Sequence, residues 1–178
     1  MGWITSEDLR GFVKNLQAGD EQWLQLACDV AVEKVEELCG PIAWADITEE
    51  YVQVERSPEV CLSSRVTRGL VGITTYDGLA LTVTDWRADG QVLQRRDHAL
   101  IATDLLVSYR TGYYDDTVEG AAPPSWAKAM ALPIAQQYLT AMRRFSATGQ
   151  PPTGAAFLVP YAALEVGHDY LLWKGGVA

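Results

Sequence analysis

Three groups of residues in this chain of 178 are of the kinds that do chemistry. Glu165, His168 and Asp169 come nearest to an acid–base cluster: a histidine beside a carboxylate can move a proton, and a small hydrolase would follow if a nucleophile joined them. No nucleophile is indicated nearby, and the surrounding tail is apolar. Asp115, Asp116 and Glu119 could hold a divalent cation, but their spacing does not match a calcium loop, and a solvated acidic loop accounts for them. Cys28, Cys39 and Cys61 form the third group. The first two fall on one helix, about 16 Å apart at a rise of about 1.5 Å per residue, so they cannot bridge. An odd cysteine count without CxxC spacing points to free thiols in a reducing compartment and away from structural zinc. His98 and His168 lack ligand spacing. There is no GxSxG, no phosphate-cradling glycine loop and no HExxH, and Asp77-Gly78 is explained by turn geometry. The residues therefore predict no catalytic site, no metal and no cofactor.

The elements that would position any function centre on Leu105 to Leu139. Leu105, Val107 and Tyr109 alternate with Leu106, Ser108 and Arg110, the pattern of a strand with one buried face, and Gly112 ends it. After the acidic loop, Pro123-Pro124 opens a helix over about 124–146. That helix is apolar on nearly every side, so it must be covered on several sides. A central core helix and a helix between subunits both satisfy this requirement. In the second case Trp126, Met130, Ile134, Tyr138 and Met142 are the interface residues. Pro133 predicts a kink, because it removes a backbone bond and presses on the Ala129 carbonyl.

Ahead of this centre, Thr5-Ser6-Glu7-Asp8 reads as a capped helix start, giving a short helix over about 5–17. Asp20 caps a second helix over 20–39, which Gly40-Pro41 ends. It is amphipathic, with Asp29, Glu33, Glu36 and Glu37 on its polar side. From Ile47 to about residue 110 the pattern is β-rich, with a hairpin over 70–86 whose tip is Asp77-Gly78. Helices flanking a run of strands predict an α+β fold: a bundle of two N-terminal helices and the long kinked one, with a small antiparallel sheet inserted. Residues 1–146 make the main domain, and 147–178 a linker and an extended tail. In the tail Phe157, Tyr161, Tyr170, Leu172 and Trp173 are apolar enough that it must dock, on its own domain or on a partner.

The net charge of −9 is uneven: up to Val60 there are thirteen acids and four bases, and the remainder is neutral. This excludes the clustered Lys and Arg that nucleic-acid binding draws on; it suits a basic protein partner, or a surface that repels DNA. No signal peptide and no run of the roughly 18 apolar residues needed for a membrane span is present.

Two stretches carry a family resemblance. Leu26 to Gly40, LACDVAVEKVEELCG, combines small residues, spaced acids and a closing Cys-Gly; Val107 to Tyr113, VSYRTGY, is a strand ending in Tyr-x-x-Gly-Tyr, followed by an acidic loop, Pro-Pro and a long apolar helix. In order and spacing the chain resembles the head-tail connector (adaptor) proteins of long-tailed bacteriophages over most of residues 5 to 145. The resemblance implies a non-enzymatic virion protein of the neck, assembled in the host cytoplasm into a ring of about twelve subunits below the portal. Such a ring extends the DNA channel, lets DNA pass without sequence-specific binding, and meets the portal and the head-closure or tail proteins. The acids Asp29, Glu33, Glu36 and Glu37 then become candidates for the channel lining, and the aromatic tail for docking on the portal. Another head-completion or tail-terminator protein of the same particle would share this composition, and the hydrolase remains the reading from a different class.

Overall fold

The computed structural model describes residues 3–149 and 158–172. Among them the chain is a mixed α+β protein with four α-helices and seven strands, the class its element order predicts. Its contacts divide into two units. One combines the N-terminal helices, up to Cys39, with Ala122–Leu171; the other comprises residues 40–121 together with Leu172.

The helical unit begins with α1 (Ser6–Phe12), where Thr5 and Asp8 form a reciprocal capping box: the Asp8 N–H donates to Thr5 Oγ1 at 3.2 Å and the Thr5 N–H to Asp8 Oδ2 at 2.9 Å. This helix stops five residues before the expected Gln17. Val13 is extended and buried, and the Gln17 N–H donates to Asp20 Oδ2 at 2.7 Å, so residues 13–20 form a tied loop instead of another turn. Helix α2 (Glu21–Cys39) follows, and after the second unit come α3 (Ser125–Thr148) and α4 (Tyr161–Gly167). Helix α3 runs through Pro133 as one element. Its wide apolar surface is covered by α1, α2 and α4. Ala27 and Ala31 of α2 and Ala127, Ala131 and Ala135 of α3 are fully buried, and such small side chains allow helices to approach closely. The tail expected to be extended is helical over α4, where Pro160 at the cap presets the first turn.

The second unit holds two sheets where one was expected. Strands β1 (Ala45–Val52), β2 (Glu59–Cys61), β3 (Gly69–Thr75), β4 (Ala80–Leu81), β5 (Trp86–Asp89), β6 (Val92–Arg95) and β7 (Leu105–Thr111) form a four-stranded sheet ordered β1-β7-β3-β4 and a three-stranded sheet ordered β2-β6-β5, with all these pairings antiparallel. The predicted hairpin has its turn at Asp77-Gly78, but β4 pairs through only two residues. A 3-10 turn at Val83–Asp85 then carries Trp86 into the other sheet, where it is buried with Leu93, Ile101, Leu105, Val107 and Tyr109. Burial of that indole is worth more than continuing an exposed hairpin.

Candidate functional site

The densest set of constraints in the second unit lies where the chain leaves α2 and where β7 ends. Gly40 takes φ +81° after the helix, and Ile42 is fully buried. The Tyr113 N–H donates to the Ile42 carbonyl at 2.8 Å, and the Trp44 N–H to the Tyr114 carbonyl at 2.9 Å. Between these bonds sits Gly112, at φ +94°. A Cβ there would lie 2.6 Å from Trp44 Cα and closer still to the Ala43 carbonyl oxygen, so only glycine fits. The segment that follows the first sequence motif thus meets the Gly-Tyr that ends the second.

The tyrosine of that second motif, Tyr109, is fully buried on β7. Its hydroxyl donates to Glu50 Oε2 at 2.6 Å and accepts the Ser64 N–H at 3.1 Å. Glu50 also accepts the Ser63 N–H at 2.7 Å and the Ser63 hydroxyl at 3.0 Å. The network closes over an irregularity in β1, where Glu49 takes φ +53° and the register against β7 shifts between Ile47 and Glu50. Burial, and then the hydrogen bond to the Glu50 carboxylate, push the Tyr109 phenol up to about 12. It stays protonated as a donor.

Around this core the surface is mixed. The Arg68 guanidinium stacks 3.0 Å over the centre of the Trp44 ring, and Asp46 pairs with Arg110 at 3.2 Å. Tyr51 and Tyr76 meet edge to face at 5.6 Å, and the Tyr51 hydroxyl donates to Asp104 at 2.5 Å.

The residues singled out in the helical unit fall into different environments. Met130, Ile134 and Met142, candidates for a subunit interface, are buried in the unit's own core; Met130 lies against Gly167 of α4, with its sulfur 3.8 Å from Cys39 Sγ. Trp126 and Tyr138 are half-buried. Tyr170, assigned to the docking tail, stacks flat on Trp126, with centroids 3.9 Å apart. Two residues expected on different surfaces therefore form one contact within the chain, because two aromatic faces lose more water against each other than either does alone. Gln137 Nε2 also donates to the Leu158 carbonyl at 2.9 Å, so the described tail docks on its own α3. Tyr161 is 75% exposed, and Leu172 lies near Gly40 and Ser64. Phe157 and Trp173 lie outside the described residues.

The four acids of α2 are not a uniform free stripe. Asp29 accepts from Gln25 at 2.8 Å, Glu36 from the Trp3 indole at 3.1 Å, and Glu37 pairs with Lys34 at 2.6 Å, while Glu33 is exposed. The cysteines are free thiols; Cys28 and Cys39 are buried and Cys61 is exposed. Burial pushes Cys28 up to about 11. His168 and Asp169 are 3.4 Å apart, with their side chains 83% and 88% exposed, and no nucleophile is hydrogen-bonded to them among the described residues. Asp115 Oδ1 accepts from the N–H and hydroxyl of Thr117, which makes the acidic loop a self-bonded turn; no group of metal-ligating side chains with cation-site geometry occurs among the described residues.

Sequence reasoning missed the Asp20–Arg143 pair. Arg143 of α3 donates to both Asp20 carboxylate oxygens, at 2.9 and 2.5 Å, and to the Asn15 carbonyl at 2.8 Å. Asp20 is almost wholly buried, and the guanidinium holds its carboxyl below the usual range against the opposing effect of burial. A helix cap one residue before α2 signalled Asp20; nothing local signalled its partner 123 residues away. Comparison with protein-family models and with curated proteins finds no match to this chain.

Proposed function

We propose that the chain is a structural subunit of a tailed-phage virion, a head-tail connector that forms a ring beneath the portal, prolongs the DNA channel and presents a platform to the tail. The observation that carries this reading is the junction at Gly112: the segment Ile42–Trp44, which follows directly on the first of the two stretches that carry the family resemblance, is held by backbone hydrogen bonds to Tyr113–Tyr114 at the end of the second, around a glycine that nothing can replace. In this reading α1, α2 and α3 form the helical bundle of the ring wall. The partners are further copies of the chain, the portal, and head-closure or tail proteins. The exposed Leu158, Tyr161 and Val166 side of the tail is the portal-facing surface, and the net charge of −9 keeps passing DNA ungripped.

Light scattering of the purified chain, alone and with its portal partner, tests this. A discrete ring of about a dozen copies, alone or only on the portal, is the expected result. A monomer indifferent to the portal overturns it.

A further inference from the structure

The second unit carries two exposed features of opposite character. One is a groove beside the two-residue strand β4, where the short pairing leaves the Gly69–Leu70 edge of β3 uncovered and β5 is the outer strand of its sheet. Val66, Leu70, Trp86 and Ala88 line it with apolar surface, and Arg87 and Arg96 stand at its rim. Arg87 pairs with Asp89 at 3.2 Å in full view of solvent; Arg96 is exposed and makes no ion pair among the described residues. The other feature is the acidic turn. Val118, 56% exposed, sits between exposed Asp116 and Glu119. The turn is preorganised by the Asp115–Thr117 bonds and by the Ala121 N–H donating to the Val118 carbonyl at 3.0 Å.

We propose that the acidic turn Asp115–Glu119 of one copy of this chain seats in the groove of the next, with Val118 against the apolar floor and Asp116 and Glu119 on Arg87 and Arg96. An apolar centre inside a rim of opposite charge is the complementarity that fixes register between protein surfaces. The occupant comes from a second copy because each chain's own turn lines a different depression, with Trp44, Arg68 and Arg110. The uncovered β3 and β5 edges offer backbone groups to the incoming turn. Since the two surfaces differ, the contact is head-to-tail and can propagate around a ring, and to that extent it rests on the connector reading.

Two measurements test it separately from that reading. A peptide of residues 113–121 titrated into the 15N-labelled chain is expected to shift the amides of Val66, Gly69, Leu70 and Ala88, and to lose at least about tenfold in affinity against the folded R87E/R96E chain. Shifts elsewhere, or none, overturn the contact whatever the assembly state. In light scattering with the portal present, R87E/R96E and D116K/E119K should each abolish assembly and their equimolar mixture should restore it. A ring insensitive to both pairs of substitutions overturns the contact and leaves the connector reading standing. Peptide binding in the groove of a chain that never assembles supports the contact and removes the ring.

Discussion

Both units hold a carboxylate against their core, and they do so in opposite electrical company. In the helical unit Asp20 is ionised and clamped by the Arg143 guanidinium; in the sheet unit Glu50 is held by hydroxyls and an amide, with Tyr109 remaining a neutral donor. The first arrangement ties the start of α2 to the last third of α3 through charge. The second ties β1 to β7 and to the Ser63–Ser64 loop through hydrogen bonds from neutral donors, with no cation in the network. The difference teaches that one short chain uses two kinds of polar pin, with different sensitivity to truncation and to pH.

The sharpest way to break the comparison is Gly112→Ala, which attacks the sheet unit through sterics alone. With φ at +94° and no room for a Cβ beside Ala43, it should cost about 4 kcal/mol or prevent that unit from folding, read by urea denaturation together with amide exchange in residues 40–121. Next comes Arg143→Met. It leaves the buried Asp20 carboxylate without its cation and should destabilise the helical unit by about 3 kcal/mol, whereas the double replacement Asp20→Asn with Arg143→Met should recover part of that loss. Tyr109→Phe keeps the ring in place and removes both the donor to Glu50 and the acceptor of the Ser64 N–H; a cost of about 2 kcal/mol, seen as a lower urea midpoint, is expected.

The mildest probe is pH. Asp20 is depressed in the fold by Arg143, so its contribution is complete above the unfolded value near 3.8 and disappears as pH falls through the lower folded value. Tyr109 is raised, so its contribution is complete below 10.0 and disappears as pH rises through about 12. Cys28 of the helical unit is raised from 9.0 to about 11, so its contribution is likewise lost as pH rises between those values. Exchange should therefore accelerate first in the helical unit below about pH 4, and in both units above about pH 9 to 10. Asp97, held low by the Ala99 N–H and Arg95, and Asp104, held low by Tyr51 and Val54, add a small acid response to the sheet unit, and their exposure keeps it small. Simultaneous loss of protection in both units at the acid extreme would erase the distinction.

What could be read from the residues follows the range over which each signal acts. Gly40-Pro41 and the spacing of Ala27, Ala31 and Val35 define α2 locally, and its bounds match the expectation within a residue. Thr5 and Asp8 define the start of α1 equally well, but its end is decided by Asp20 reaching back to Gln17, a side-chain bond that periodicity does not register. The strand containing Tyr109 was plain from alternation, and its place at the centre of the sheet was not. Its neighbours β1 and β3 are chosen by pairings tens of residues apart, and a period of two carries no information about partners. The same holds for Trp86, whose departure into the second sheet follows from where an indole can be buried. At the candidate site, Gly112 and Tyr113 were visible as a motif, while Glu50 and Ser63 were ordinary residues until the fold placed them beside Tyr109.

The order of the strands sets a timetable for synthesis. Because β7 lies between β1 and β3, the four-stranded sheet cannot close until Thr111 has left the ribosome, and then it closes at once on both sides. The apolar faces of α1 and α2, made first, still lack α3 at that moment and wait until residues 125–148 emerge. The part of the molecule in the middle of the gene is thus the first that can be finished, and the N-terminal helices spend that interval exposed to whatever holds nascent chains apart.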